Sequence, residues 1–128
     1  MMKEGKKVVY VCSKYSGDIE TNSAAARNYC RVAVNMGYIP LAPHLLFPQF
    51  MSEEKERNLA MTMDLELIDR CDEFWVCGPE ISSGMKTEIE YAKRHNKPIR
   101  RYEDICLKGS QLCWTRPTKR SFSLMRLI

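Results

Sequence analysis

Lys7-Val8-Val9-Tyr10-Val11-Cys12-Ser13-Lys14-Tyr15-Ser16-Gly17-Asp18 is the stretch that decides the fold. Its first half is a short apolar run rich in β-branched residues, as suits a central strand buried on both faces. Its second half is a polar loop with a glycine. A helix is predicted next, from about Thr21 to Met36. Ala25, Tyr29, Val32, Ala33 and Met36 recur there at helical spacing, and Gly37 supplies a stop. Tyr38-Ile39-Pro40-Leu41-Ala42 reads as a second strand opening into a proline-punctuated loop, Pro43 to Phe50. A second helix is predicted from Ser52 to about Arg70, with Glu53, Glu54 and Glu56 in a first turn where the helix dipole favours anions. Asp72 to Cys77 forms a third strand, Gly78 to Gly84 a loop, and Met85 to His95 a third helix. Asn96-Lys97-Pro98 breaks that helix before a fourth strand, Pro98 to Tyr102.

This alternation of strands and helices over short connections predicts a single-domain three-layer α/β/α sandwich. Its sheet is parallel, four- to five-stranded and Rossmann- or flavodoxin-like. Right-handed crossovers bring the three strand-to-helix loops to the carboxyl edge of the sheet, where ligands of open α/β sheets bind. No G-x-G-x-x-G follows the first strand and no G-x-x-x-x-G-K-[ST] occurs, so dinucleotide and ATP readings lose their main support. The domain is placed at residues 1–107, and residues 108–128 form a basic C-terminal tail with no clear period.

Composition narrows the function classes. The 128 residues are 45% hydrophobic and 28% charged, which is ordinary for a soluble globular domain and rules against disorder. The net charge of +4 would suggest nucleic acid, but five basic residues (Lys108, Arg116, Lys119, Arg120, Arg126) follow the last acid, Asp104. Taking them from the 20 basic residues leaves 15 against 16 acids, so the remaining chain carries −1. Direct nucleic-acid binding is therefore not expected. No apolar run is long enough to span a bilayer, and the start of the chain lacks a leader's apolar stretch, so no membrane partner and a cytoplasmic location are expected. The six cysteines contain no C-x-x-C pair and read as free thiols, and the two histidines have no ligand spacing to them. Neither a metal nor a cofactor is expected.

Two carboxylates stand out. Met85, Ile89 and Ala92 make a stripe facing the sheet, and Glu88 borders it near a helix start. Such a carboxylate either works chemically or is paired to a basic neighbour. Asp64 lies within the apolar face of Ala60, Met61, Leu65 and Ile68, where it either binds a polar ligand or pairs with something buried. Ser82, Ser83 and Gly84 open the third helix. They form either an anion site, with free backbone N–H groups and close approach at the glycine, or a plain serine cap. His44 faces the same crevice and either contacts a ligand or fixes its loop. His95 belongs to a helix end. Leu59, Met63 and Leu67 widen the apolar girth of the second helix, so a homodimer or higher homo-oligomer packed on that helix is expected.

These residues carry a resemblance. Tyr10-x-Cys12 followed by a Ser/Gly loop, Asp64-Leu65-Glu66-Leu67, a strand after Cys71-Asp72, and Ser82-x-Gly84-x-x-x-Glu88 ahead of Ala92 resemble the nucleoside 2-deoxyribosyltransferase superfamily. The closer likeness is to its 2'-deoxynucleoside 5'-phosphate N-hydrolase branch, in a phage or bacterial offshoot. The resemblance spans about Val8 to Tyr102. It implies a Glu88 nucleophile at the anomeric carbon, Asp64 holding sugar and leaving base, and Tyr10 orienting the carboxylate. It also implies that Ser82, where nucleoside-using members carry aspartate, admits a 5'-phosphate, with Ser13, Tyr15, Ser16 and Gly17 as further donors. One departure is that the nucleotide hydrolases carry an arginine in the first loop, where this chain has Lys14 at a shifted position. The expected activity is cleavage of the N-glycosidic bond of (deoxy)nucleoside 5'-monophosphates, by hydrolysis or transfer. The alternative is a non-catalytic nucleotide-binding or sensing module on the same fold.

Overall fold

The computed structural model describes residues 5–108. Four strands, β1 (Val8–Cys12), β2 (Ile39–Leu41), β3 (Glu73–Val76) and β4 (Ile99–Arg101), form one sheet in the order β2-β1-β3-β4. Every pairing is parallel, with Tyr10 opposite Leu41 on one side and Phe74 on the other. The strand order reverses between β1 and β3, and open α/β sheets bind ligands above such a reversal. The helices are α1 (Ile19–Asn35), α2 (Pro43–Leu46), α3 (Arg57–Arg70), α4 (Ser83–Arg94) and α5 (Tyr102–Lys108).

Strand alternation divides the core into two layers. Val9 and Val11 of β1 join Trp75, Cys77, Ala33 of α1 and Ile105 of α5 on one face. Tyr10 and Cys12 join Phe74, Val76, Ile68 of α3 and Met85 and Ala92 of α4 on the other. The period of two in β1 thus aims Tyr10 and Cys12 at the α3–α4 side. Gly78, at φ +100°, turns the chain out of β3 into the loop before α4.

Three segments differ from the sequence expectation. Helix α3 begins at Arg57 rather than Ser52, because residues 52–56 close a turn of their own. There Glu56 N–H donates to the Ser52 carbonyl at 2.9 Å, and Ser52 N–H donates to Glu56 Oε1 at 2.9 Å. Glu53 and Glu54 therefore precede the helix. The proline-rich loop holds one α turn, α2, and a 3₁₀ turn at Phe47–Gln49, each with proline near its start where the missing N–H costs nothing. Tyr102 ends no strand but opens α5, which is too short to show a period in sequence. Cys12, Cys71 and Cys77 are buried and Cys30 is half-buried, none of them in a disulfide. The tail expectation, with Cys113, lies outside the described residues. Among those residues no helix is long and apolar enough to cross a membrane.

Candidate active site

Glu88 is held by its helix. Met85 and Ala92 are buried and Ile89 packs on the same core, which turns Glu88 inward toward β1. Tyr10 hydroxyl donates to Glu88 Oε2 at 3.0 Å, and the Tyr10 ring lies stacked on Phe74 at 5.3 Å and 3°. Cys12, two residues along the same face of β1, is also hydrogen-bonded to Glu88. Burial, with Glu88 beside them, pushes both the Tyr10 phenol and the Cys12 thiol well above their ordinary values. Both are therefore neutral donors at physiological pH.

Asp64 completes the cluster. Ile68 and Leu65 seat α3 on the core, and Asp64 faces α4. Its Oδ1 is buried with no donor in reach. Burial first, then the Glu88 charge and a hydrogen bond with it, push the Asp64 carboxyl up to about 8. Burial also raises Glu88, while hydrogen bonds from Asp64, Cys12 and Tyr10 act the other way. Side by side and removed from water, the two carboxyls cannot both ionise freely, so the pair shares a proton across the hydrogen bond that joins Asp64 to Glu88. Among the described residues no lysine, arginine or histidine pairs with Glu88. Glu73, at the opposite strand end, shows the contrast: Tyr38, Trp75 and Arg100 surround it, as around a structural carboxylate.

A cleft opens above this cluster. Ser13, Tyr15 and Ser16 line it from the loop after β1, and Pro43, His44 and Phe47 from the segment after β2. Arg57, Ala60, Met61 and Asp64 line it from α3, and Ser82, Gly84, Met85 and Glu88 from α4. The sequence-predicted Glu88, Asp64, Ser82, Gly84, Ser13, Tyr15, Ser16 and His44 thus come together, with Tyr10 beneath Glu88. Ser83 is exposed and Gly17 turns its loop at φ +96°; neither is among the lining residues.

The details refine the individual expectations. Ser82 Oγ accepts the Met85 N–H at 3.2 Å, so it caps α4 and still has its hydroxyl proton to donate into the cleft. Asn22 fixes the first loop by donating to the Tyr15 and Ser16 carbonyls at 3.2 and 2.9 Å. Ser13 Oγ and His44 Nε2 lie 2.7 Å apart and tie two loops together. Burial lowers His44 to about 4, so it is neutral near pH 7 and supplies no proton there. Lys14, whose place the departure above concerned, is bound to Glu80 at 2.7 Å and does not line the cleft. Sequence reasoning missed Cys12 as a donor to Glu88 and Arg57 as a lining residue. The signal for Arg57 was there, since it stands seven residues before Asp64 on the same helical face. Among the described residues no group of three His, Cys, Asp or Glu side chains is placed to hold a metal ion.

Residues 7–102 match the model of a family described as Domain of unknown function (DUF7768). The chain belongs to that family. The DUF7768 fold is also similar to that of solved deoxyribosyltransferases. One is a 2-deoxyribosyltransferase from Bacillus psychrosaccharolyticus (TM-score 0.55, 19% identity, covering 73% of this chain and 70% of that one). Another is a 2-deoxyribosyltransferase from Leishmania mexicana (TM-score 0.57, 18% identity), where the match covers 75% of this chain but only 63% of that one. No curated protein matches the chain in sequence.

Proposed function

We propose that this DUF7768 chain cleaves the N-glycosidic bond of deoxynucleoside 5'-monophosphates through a covalent glycosyl intermediate on Glu88. The observation that carries the reading is the half-buried Glu88 carboxylate at the floor of an open cleft. It is held by three neutral or protonated donors and no cation, so its negative charge is available to an electron-poor carbon. Cleaving such a bond builds oxocarbenium character at the anomeric carbon, and a facing carboxylate stabilises it or bonds to it.

The steps balance. A Glu88 oxygen bonds to the anomeric carbon as the carbon–nitrogen bond breaks and its electron pair moves onto the base. The Asp64 proton passes to that base, directly or through water, and neutralises it. In the second step water attacks the same carbon and returns its proton to Asp64, and the Glu88 carboxylate leaves as the sugar 5-phosphate departs. A second base in place of water gives transfer instead. Tyr10 and Cys12 orient Glu88 and contribute no reacting atom. The phosphate end of the substrate is assigned to the Ser82–Gly84 start of α4, where backbone N–H groups, the Ser82 hydroxyl and a residue without Cβ meet the cleft.

The test is incubation with each common deoxynucleoside 5'-monophosphate and its nucleoside, with free base followed by chromatography. Base released from a monophosphate supports the reading. Ligand-induced thermal stabilisation without base release from any of them would assign the cleft to binding alone.

A further inference from the structure

The two helices that wall the cleft start at the same sheet edge and run side by side. At the floor, Asp64 of α3 meets Glu88 of α4. One turn outward, the Met61 methyl lies 3.7 Å from where a Cβ on Gly84 would stand. One further turn outward α3 opens with Arg57, and Ser82 caps the start of α4; both line the cleft. Among the described residues Arg57 is the only lysine or arginine that lines the cleft. It is exposed, and it makes no hydrogen bond or ion pair among the described residues.

Its surroundings make a free guanidinium there informative. The cleft also carries Glu53, Asp64 and Glu88, and His44 contributes no charge near neutral pH. An anionic ligand thus needs a cation at this rim, and Lys14 is held by Glu80. We propose that Arg57 reads the phosphate of the substrate from the α3 side, opposite Ser82, and so takes the part of a basic residue in the first loop. The proposal rests on the glycosidic reading of the same cleft and adds the residue that selects the monophosphate over the nucleoside. Asp64 and Arg57 are seven residues apart, roughly 10 Å along the helix. A ligand whose anomeric carbon sits on Glu88 therefore meets Arg57 with its far end. A guanidinium offers paired donors to two phosphate oxygens, and the Ser82 hydroxyl is a neutral third.

The experiment measures, by calorimetry, the affinity of the full chain for the four common deoxynucleoside 5'-monophosphates and their nucleosides. It uses the Glu88→Gln background so that nothing is consumed, with and without Arg57→Gln or Arg57→Lys. The expected result is a roughly 10- to 100-fold loss of monophosphate affinity in Arg57→Gln, the range of one charge-assisted contact. Nucleoside affinity should move less than about 3-fold, and Arg57→Lys should recover part of the loss. Equal changes for both ligands, or no preference for monophosphates even with Arg57 present, would overturn the proposal. An Arg57-dependent preference in a chain whose wild type releases no base would leave the inference standing and remove the glycosidic reading.

Discussion

Asp64→Asn is the substitution that separates a proton donor from a structural partner at the cleft floor. The asparagine amide still donates to Glu88, so the packing of α3 on α4 and the Glu88 orientation survive. What is lost is the transferable proton. With the Asp64 carboxyl at about 8, roughly nine-tenths of molecules carry that proton at pH 7 and roughly one-tenth at pH 9. Base release by the wild type should therefore fall about tenfold for each pH unit above about 8, and fall separately on the acid side as the Glu88 carboxylate takes up a proton. In Asp64→Asn the rate should drop about 10²- to 10⁴-fold at pH 7, the usual worth of a general acid, and the alkaline limb should vanish. A second readout needs no substrate. Between the ordinary Asp value of 3.8 and about 8, the folded state holds a proton that the unfolded state has released. Stability contributed at this site is thus greatest at low pH and declines as pH rises through that window. Chemical denaturation at pH 5 and pH 8 should show that slope in the wild type and a flatter one in Asp64→Asn. A variant that keeps near-normal turnover with an unchanged alkaline limb would show that Asp64 donates no proton.

Three further expectations follow from the geometry. Glu88→Ala should abolish base release by several powers of ten, each tenfold loss being about 1.4 kcal/mol, with circular dichroism unchanged; near-normal release would remove Glu88 as nucleophile. Tyr10→Phe keeps the ring stacked on Phe74 and deletes one donor to an anionic carboxylate, worth about 1.5–3 kcal/mol, so kcat should fall about 10- to 100-fold with KM little changed; a loss confined to KM would contradict an orienting role. Sedimentation at micromolar concentration should give a mass of two or more chains, since Leu59 of α3 is 50% exposed with Phe50 at 66% nearby in sequence, and a clean monomer would refute the expected assembly.

What the sequence made legible follows from which contacts are local. Tyr10 was named through the resemblance alone and Cys12 was missed as a donor, although a strand's period of two puts them on one face: once Val9 and Val11 face one layer, the other two must face the second. Glu88 and Asp64 could be read because each interrupts an apolar stripe at helical spacing, and an interruption is costly unless it has a partner. That their partner is each other was not legible, because it depends on α3 and α4 lying side by side across 24 residues of sequence. The pairing changes the chemistry: two carboxylates that separately read as anions hold a shared proton, which is what the proposed reaction asks of its acid and its nucleophile. Arg57 was lost for a different reason. The run Ser52 to Glu56 carries the composition of a helix start, and it does form a capped turn, but that turn precedes the helix. With the start misplaced, attention fell on the acids of the turn and passed over the cation in the true first turn of α3. Charge bookkeeping in that segment then suggested an acidic helix end, whereas the cleft meets Glu53 and Arg57 together, and among the described lining residues Arg57 is the one that would attract an anionic ligand.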